Sequence, residues 1–344
     1  MTHTTTDPFA AFARASLLDG PTPIQRLARL SAHAGADIYV KRDDLTGLGG
    51  GGNKLRKLEF LIGEAQRQHA GTVVTVGALQ SNHARLTAAA AARTGLACEL
   101  VLTRSAVRDD EDYRHGGNML LDQLFGARIH ILEAGADAAA FAAARRAELE
   151  RAGHRVYLAP LGGSSPTGCL GYAACAFEIA EQERALGFRF DRIILPNGSG
   201  GTQAGLVAGH AALGLDPGRV QAYGVLAPAD KALDTTRRIA AQTLALLRPE
   251  AVLDAGAVRI DDSELGPGYG VPTEAMFEAV DAMARLEGLL IDPVYGGKAF
   301  AGLLRQARAG GFARGERVLF LMTGGLPGLF AYRQAFLAYC MTPT

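Results

Sequence analysis

The feature that most constrains the fold of this 344-residue chain is the alternation of short β-branched runs with Ala-rich runs. A strand followed each time by a helix is typical of an α/β fold with mostly parallel strands. The sequence predicts helices over residues 83–95, 166–186 and 272–288. It predicts strands over residues 37–42, 72–77, 98–104, 128–132, 155–160, 192–196, 220–226 and 317–323.

Composition narrows the class of ligand. The 35 basic residues balance 35 acidic residues, and no basic stripe is present, so a small molecule is a better partner than nucleic acid or an anionic membrane. The first twenty residues do not have the pattern of a secretory signal, and no apolar run reaches about 18 residues, so we expect a cytoplasmic protein. The cysteines lack metal-ligand spacing and are expected to be buried thiols, with no metal site; they are Cys98, Cys169, Cys175 and Cys340.

A glycine-rich stretch, GLGGGGNK, occupies residues 47–54. It is not a Walker A loop, because Lys54 stands one position late and is followed by Leu55 where a Ser or Thr is required. Apolar spacing after it predicts a helix with Asn53 as its N-cap and Lys54 in the first turn. The positive end of the helix dipole disfavours a charged lysine there, which favours a neutral amine nucleophile.

A second glycine cluster follows the predicted strand 192–196 and leads into a helix. The backbone amides from Gly198 to Thr202, with the Ser199 and Thr202 hydroxyls, are suited to cradling a phosphate at a helix N-terminus. Gln203 stands where a dinucleotide fingerprint requires glycine, which argues against an NAD-dependent dehydrogenase. A cofactor with a single phosphate fits better.

Three further segments place polar residues at strand ends or on rigid turns. Ser81 and Asn82 follow a strand in GALQSNHAR, and Thr323 ends the last strand before two glycines. Tyr295 and Tyr269 lie on turns flanked by Pro and Gly. Taken singly each signal is weak, because polar residues at helix starts and packed tyrosines are common.

Taken together and in order, these segments resemble one family, the pyridoxal-phosphate (PLP)-dependent enzymes of the tryptophan synthase β type. Within it they resemble the branch of 1-aminocyclopropane-1-carboxylate deaminase, D-cysteine desulfhydrase and L-cysteate sulfo-lyase, over about residues 20 to 335. The matching motifs are KRDDLTG and GGNKLRKLE (41–59), GALQSNHAR (77–85), LPNGSGGTQAG (195–205), DPVYGGKA (292–299) and TGGLPGLFAY (323–332).

The resemblance implies a two-domain α/β architecture, PLP fold type II, with open, mostly parallel sheets covered by helices on both faces. A Gly/Ser/Pro cluster at residues 161–168 marks one domain boundary. Residues 1–54 and 164–344 would form a large PLP-binding domain, and residues 55–163 a small α/β domain. A homodimer is implied by the family alone.

The resemblance also implies roles for individual residues. Lys54 would hold the cofactor aldehyde and then serve as the base. The phosphate would lie on Gly198, Ser199, Gly200, Gly201 and Thr202; the 3′-oxygen would meet Asn82, and the pyridine nitrogen Thr323. Ser81, with Gln80 or His83, would hold the substrate carboxylate. The candidates for the proton donor are Tyr269 and Tyr295.

The implied reaction is α,β-elimination on a small amino acid, foremost D-cysteine, giving pyruvate, ammonia and sulfide. L-Cysteate, releasing sulfite, is the alternative, with Arg56 or His83 as the cation for its sulfonate. Cyclopropane ring opening is disfavoured, because Gly296 stands where the deaminases have Glu after the tyrosine of D-P-V-Y. A catalytically silent small-molecule-binding protein is a further alternative, against which the complete Lys54 motif argues.

Overall fold

The structure is a computed structural model that describes residues 7–104 and 108–341. The predicted domain termini 1–6 and 342–344, and residues 105–107 of the predicted small domain, lie outside the described residues. The strands are β1 (Ile24–Arg26), β2 (Asp37–Arg42), β3 (Thr72–Ala78), β4 (Ala97–Thr103), β5 (Arg128–Leu132), β6 (Val156–Ala159), β7 (Arg192–Asn197), β8 (Val220–Gly224), β9 (Arg259–Asp261) and β10 (Arg317–Met322).

Thirteen α-helices are formed by the described residues. They are α1 (Ala28–Ala34), α2 (Lys54–Arg67), α3 (Asn82–Thr94), α4 (Glu111–His115), α5 (Gly117–Leu124), α6 (Ala138–Arg151), α7 (Pro166–Leu186), α8 (Gly201–Ala212), α9 (Ala229–Leu247), α10 (Glu274–Glu287), α11 (Gly296–Arg308), α12 (Pro327–Ala331) and α13 (Arg333–Cys340). None of these helices is both long and apolar enough to cross a membrane.

Two sheets organise the chain. A six-stranded sheet has the order β1-β2-β10-β7-β8-β9 and draws its strands from both ends of the sequence. Its only antiparallel pair among the described strands is β1 with β2. A four-stranded sheet of order β5-β4-β3-β6 is parallel throughout. This confirms the predicted α/β fold with mostly parallel strands.

Alternating side chains of each strand fill separate cores on the two faces of a sheet. In β10, Val318 and Phe320 join the core that packs on α10 and α11, whereas Leu319 and Leu321 join the core beneath α7 and α8. Both faces are therefore covered by helices, as a buried parallel sheet requires.

The eight predicted strands all form, with boundaries that differ by no more than two residues. The prediction missed β1 and β9, which are three-residue strands at the two edges of the larger sheet. Cys98, Cys169 and Cys175 are buried thiols as expected, but Cys340 is exposed near the end of α13, so the expectation was wrong for that residue.

Candidate active site

The loop before α2 brings Lys54 to the carboxyl ends of the large-sheet strands. The Asn53 N–H donates to the Thr323 carbonyl at 2.9 Å, which ties the loop to the end of β10. Glycine is required at position 51, where φ is +72° and a Cβ atom would lie 2.0 Å from the Asp44 carbonyl oxygen. Lys54 is thus the first residue of α2, at a strand end where open α/β sheets bind ligands.

Asn53 precedes α2 as predicted, but its side chain does not cap the helix. Its Nδ2 donates instead to the Thr202 Oγ1 at 3.1 Å. The expected cap was wrong because this amide joins the lysine loop to the first turn of α8.

The Lys54 amine is held in a form suited to nucleophilic attack. Burial, and after it the positive charge of Lys57, lowers the pKa of Lys54 well below its ordinary value of 10.5. The lowered pKa favours the neutral amine, which is the form that attacks a carbonyl. The helix dipole argument predicted this direction, whereas the main cause in the structure is burial.

The loop between β7 and α8 forms an anion cradle. The Ser164 Oγ accepts from the Gly201 N–H at 3.1 Å and lies 2.8 Å from the Ser199 Oγ. The Lys57 Nζ donates to the same Ser164 oxygen at 3.3 Å. A Cβ on Gly201 would lie 2.4 Å from the Ser164 Oγ and 2.8 Å from the Lys57 Nζ, so only glycine fits. Backbone N–H groups, hydroxyls and one cation therefore converge as a phosphate requires.

Lys57 and Ser164 are parts of this cradle that the sequence analysis missed. Lys57 is fully buried and its pKa is lowered by burial to about 8. One signal was available, because Lys57 lies three residues after Lys54 and so shares its helix face. Ser164 belongs to the Gly/Ser/Pro cluster, which was interpreted only as a domain boundary.

The start of α3 supplies a second set of donors. The Ser81 Oγ accepts from the Ala84 N–H at 3.1 Å and caps the helix. Gly77 gives it room, because a Cβ there would lie 2.7 Å from that oxygen. Asn82 begins the helix and lines the same cavity as Lys54. This helix N-terminus is suited to binding a carboxylate.

Gln80 does not take part in that site. Its Nε2 donates to the carbonyls of Tyr113 and Gly116 at 2.7 and 3.0 Å, and its Oε1 accepts from the Asn118 N–H at 2.8 Å. The side chain is buried with its amide fully engaged. The expectation that Gln80 binds the substrate carboxylate is therefore corrected: it braces the segment around α4 and α5 against the start of α3.

His83 lines the cleft but carries no positive charge there. Its Nε2 lies 3.0 Å from the Thr75 Oγ1. Burial, followed by the charges of Lys54 and Lys57, lowers the pKa of His83 well below 6.5, so it is neutral at neutral pH. A neutral imidazole cannot act as the cation expected for a sulfonate.

Arg56 is likewise excluded as a sulfonate ligand. Its guanidinium is 3% exposed and donates to both Asp43 carboxylate oxygens and to Glu178, at 2.8 to 3.0 Å. The positive charge of Arg56 is paired with buried carboxylates beneath the site, so the expectation that Arg56 binds a sulfonate was wrong.

The two candidate tyrosines form one unit. The Tyr269 and Tyr295 hydroxyl oxygens are 2.7 Å apart, and the rings meet edge to face with centroids 6.0 Å apart. Burial raises the pKa of both phenols above 10, so both are protonated at neutral pH. The pair is therefore able to donate a proton into the cleft. Tyr332 supports the Tyr269 turn by donating from its hydroxyl to the Gly270 carbonyl at 2.8 Å.

Asp292, also missed from the sequence, shapes the turn that carries Tyr295. Its carboxylate accepts from the N–H groups of Val294, Tyr295 and Gly296 at 3.0, 2.9 and 2.7 Å. Burial raises its pKa to about 6, and these N–H groups and the charge of Lys54 limit the rise. A Cβ at Gly296 would lie 3.1 Å from the Asp292 Oδ1, so a side chain at position 296 would crowd this carboxylate.

These groups meet in one cavity that opens into a cleft. The cavity is lined by Lys54, Asn82, Tyr295 and Thr323, and by Gly198, Ser199, Gly200 and Thr202 of the glycine-rich loop. The adjoining cleft, of about 630 Å³, is lined by Ser81, His83 and Tyr269, together with Lys54 and Tyr295. An amine, an anion cradle, an amide and a hydroxyl around one cavity match the aldehyde, phosphate, phenolic oxygen and ring nitrogen of PLP. The residues present fit this cofactor.

Comparisons with known proteins also indicate a PLP-dependent enzyme. The model of a family described as pyridoxal-phosphate dependent enzyme matches residues 15–324. A protein of Serratia proteamaculans named D-cysteine desulfhydrase is 42% identical over 323 residues, which are 94% of this chain and 97% of that protein.

Solved structures agree in fold. A crystal structure described as an ACC deaminase homologue superimposes with a TM-score of 0.86 at 37% identity, covering 96% of this chain and 97% of that one. A crystal structure described as an O-ureido-L-serine synthase gives a TM-score of 0.62 at 18% identity, covering 92% and 96%, which is a likeness of fold alone. The expected fold type is confirmed.

Proposed function

The chain belongs to the family of pyridoxal-phosphate-dependent enzymes, and from that premise we propose that it is a carbon–sulfur lyase acting on D-cysteine. The reaction breaks the Cα–H and Cβ–S bonds and releases sulfide and 2-aminoacrylate, which hydrolyses to pyruvate and ammonia. The observation that carries the proposal is the convergence of a buried lysine and a hydrogen-bonded tyrosine pair on one cleft. A 42% identical relative named D-cysteine desulfhydrase supports the choice of substrate.

The bound cofactor supplies an electron sink for the α-carbon of the substrate. Its aldehyde would be held by Lys54, and its phosphate by the loop from Gly198 to Thr202 with the charge of Lys57. The Asn82 amide would face the phenolic oxygen. The Thr323 hydroxyl would face the ring nitrogen and, unlike a carboxylate, would not enforce its protonation.

Lys54 also has the properties of the base. With the cofactor bound, the Lys54 Nζ would accept the α-proton of the substrate, because burial lowers the pKa of this amine and so favours its neutral form. Ser81 and the N-terminus of α3, which line the same cleft, would hold the substrate carboxylate. The α-carbon would then lie between this carboxylate site and the Lys54 amine.

The leaving sulfur requires a proton, and the protonated tyrosine pair that lines the cleft is suited to donate it. Tyr295 lines both the cofactor cavity and the cleft, whereas Tyr269 lines the cleft alone. Tyr295 would therefore donate to the sulfur, and Tyr269 would replace that proton across the 2.7 Å contact.

The same cleft is less suited to binding L-cysteate. A sulfonate keeps its charge at all working pH values and needs an unpaired cation. Besides Lys54, the cation lining the cleft among the described residues is Arg104, which is paired with Glu133 at 3.3 Å. Arg56 and His83 are excluded above, so sulfide is the favoured leaving group.

The test is product release from D-cysteine and L-cysteate run in parallel with the purified holoenzyme. Sulfide and pyruvate in equal amounts from D-cysteine are expected, with little sulfite from L-cysteate. Tyr295→Phe is expected to lower kcat on D-cysteine roughly 100-fold, the loss typical of a general acid. Tyr39→Phe is the matched control, because that ring packs on Phe188 and Phe190 away from the cleft. Sulfite release without sulfide would overturn the assignment.

We also propose the domain division, assembly and compartment of the enzyme. Residues 1–54 with 164–344, and residues 55–163, would act as two domains that close over the cleft. The helices α5 and α12 pack together and expose Leu120, Leu124 and Phe330, an apolar surface that supports a homodimer. Buried thiols at Cys98, Cys169 and Cys175 support a cytoplasmic location.

A further inference from the structure

We propose that Asn118, on α5, is a positioning residue that turns the NH₂ group of Asn82 toward the cofactor. The inference rests on the proposed function, because it takes Asn82 as the partner of the phenolic oxygen of PLP. Asn118 is fully buried and does not line the cofactor cavity, so it acts through Asn82 alone.

Backbone groups fix the orientation of the Gln80 amide. Its Nε2 lies against two carbonyls, of Tyr113 and Gly116, and a carbonyl only accepts. Its Oε1 lies 2.8 Å from the Asn118 backbone N–H, which only donates. The exchange of nitrogen and oxygen in this side chain would break all three hydrogen bonds.

The Asn118 amide is fixed in the same way. One Nδ2 proton is donated to the Gln80 backbone carbonyl at 3.0 Å, so the nitrogen must be on that side. The second Nδ2 proton is donated at 3.0 Å to the side chain of Asn82, which must therefore present its Oδ1. The Asn82 Nδ2 is left as the group that can face the cavity.

The position of that nitrogen agrees with this role. A Cβ at Gly325, two residues after the cavity-lining Thr323, would lie 2.8 Å from the Asn82 Nδ2. The glycine leaves open the side of Asn82 that carries its donor. A donor is what the phenolic oxygen of the cofactor requires, and a flipped amide would oppose it with a second oxygen.

An asparagine at position 118 lowers the stability of the fold in one respect, so packing alone does not explain its presence. Its Oδ1 is buried with no hydrogen-bond partner among the described residues. An unsatisfied buried carbonyl destabilises a fold, so an apolar residue would suit a purely structural position better. The two hydrogen bonds that its Nδ2 donates, to Gln80 and to Asn82, explain why an amide side chain is present at position 118.

The experiment is titration of apoenzyme with PLP, following absorbance to obtain the dissociation constant, without turnover. Asn118→Asp removes both protons and places a carboxylate against the Asn82 Oδ1, which drives that amide to flip. Asn118→Leu keeps the branching at Cγ in a larger, apolar side chain, donates no hydrogen bond and leaves Asn82 free to rotate. Gln123→Glu is the control, since it makes the same amide-to-acid change on an exposed residue of α5.

We expect Asn118→Asp to weaken PLP binding roughly tenfold or more, Asn118→Leu to weaken it less, and Gln123→Glu to leave it unchanged. In an Asn82→Ala background the Asn118→Asp change is expected to add less than about twofold, because the two residues act through one contact. Equal losses in both backgrounds, or a larger loss for Leu than for Asp, would overturn the inference. Failure of the wild-type chain to bind PLP would instead overturn the proposed function, so the two failures are distinguishable.

Discussion

At the scale of single residues, the site depends on side chains whose charge is set by burial. Burial favours the neutral forms of Lys54 and His83, and it raises the pKa of Asp292 to about 6. Asp292 also contacts the backbone of the Tyr295 turn and lies within the field of Lys54. Its protonation is therefore expected to affect both Tyr295, the proposed proton donor, and Lys54, the proposed base.

The activity on D-cysteine should fall as the pH is lowered through about 6, the pKa to which burial raises Asp292. Below that value the carboxyl group carries a proton and becomes a poorer acceptor for the three N–H groups of the turn. Asp292→Asn should abolish this acidic limb while lowering kcat/KM at pH 8 roughly tenfold. The measurement is kcat/KM between pH 5 and 8, with the surface variant Asp281→Asn as control.

A fall in pH through this range affects stability, through Asp292, in the opposite direction to activity. The folded pKa of Asp292 lies above its ordinary value of 3.8, so the native state binds more protons between about pH 4 and 6. This group alone makes the protein more stable as the pH falls through that window.

For the activity profile, an unchanged acidic limb of kcat/KM in Asp292→Asn would show that another group titrates there.

At the scale of elements, a buried ion network joins β2, α2 and α7 beneath the lysine loop. Arg56 of α2 pairs with Asp43, just after β2, and with Glu178 of α7, which also pairs with Lys41. The Tyr172 hydroxyl donates to the Asp43 carboxylate as well. The network holds α2, and with it Lys54, against the large sheet.

Replacement of Arg56 by Met should lower the free energy of unfolding by about 3–5 kcal/mol, because it leaves buried carboxylates without their partner. Arg67→Met is the matched control on the same helix; its ion pair with Glu64 is exposed and screened by solvent, so its loss should have little effect on the free energy of unfolding. Denaturant unfolding of the holoenzymes measures both. Equal, small effects would mean that the buried network does not secure α2.

The sequence predicted elements better than contacts. Strands such as β7 and β10 are short, mostly apolar runs typical of buried strands, and their ends place Thr323 and the loop from Gly198 to Thr202 at the carboxyl edge of the sheet. The edge strands β1 and β9 have three residues each, which is too short for periodicity to show. Their pairing is decided by the neighbouring strand and not by local sequence.

The sequence indicated candidate site residues where a single segment carries the signal, and it did not indicate those whose partners lie on distant segments. Ser164 and Asn118 reach their partners only through contacts more than thirty residues apart in the chain. Gln80 and Arg56 were predicted to bind the substrate because both lie near a motif. The sequence does not show that other groups of the protein already occupy their hydrogen bonds and, for Arg56, balance its charge. Such partners are fixed by tertiary packing, which a single sequence does not display.

At the scale of the whole molecule, the two sheets contribute different functions to one cleft. The six-stranded sheet presents Lys54, the loop proposed to bind the phosphate and the tyrosine pair, and the four-stranded sheet presents Ser81 and Asn82 through α3. Closure of the two proposed domains would bring the carboxylate site onto the substrate and exclude water from the product before release.

The proposed dimer can be tested at the exposed apolar surface of α5 and α12. Leu124, 70% exposed, is expected to be covered by a second copy of the chain. Leu124→Glu should therefore shift the protein from dimer to monomer in sedimentation velocity at micromolar concentration. Leu246→Glu, a change at an exposed leucine of α9, is the control. A monomeric wild-type chain, or a Leu124→Glu variant that remains a dimer, would contradict this interface.

The central claim is that Lys54 holds the cofactor aldehyde, and one measurement tests it directly. The holoenzyme is reduced with borohydride, digested, and analysed by mass spectrometry for the lysine that carries the phosphopyridoxyl group. We expect a single modified residue, Lys54, and none in Lys54→Ala treated in the same way. Modification at Lys57 or Lys298, which are also buried lysines of lowered pKa, would contradict it.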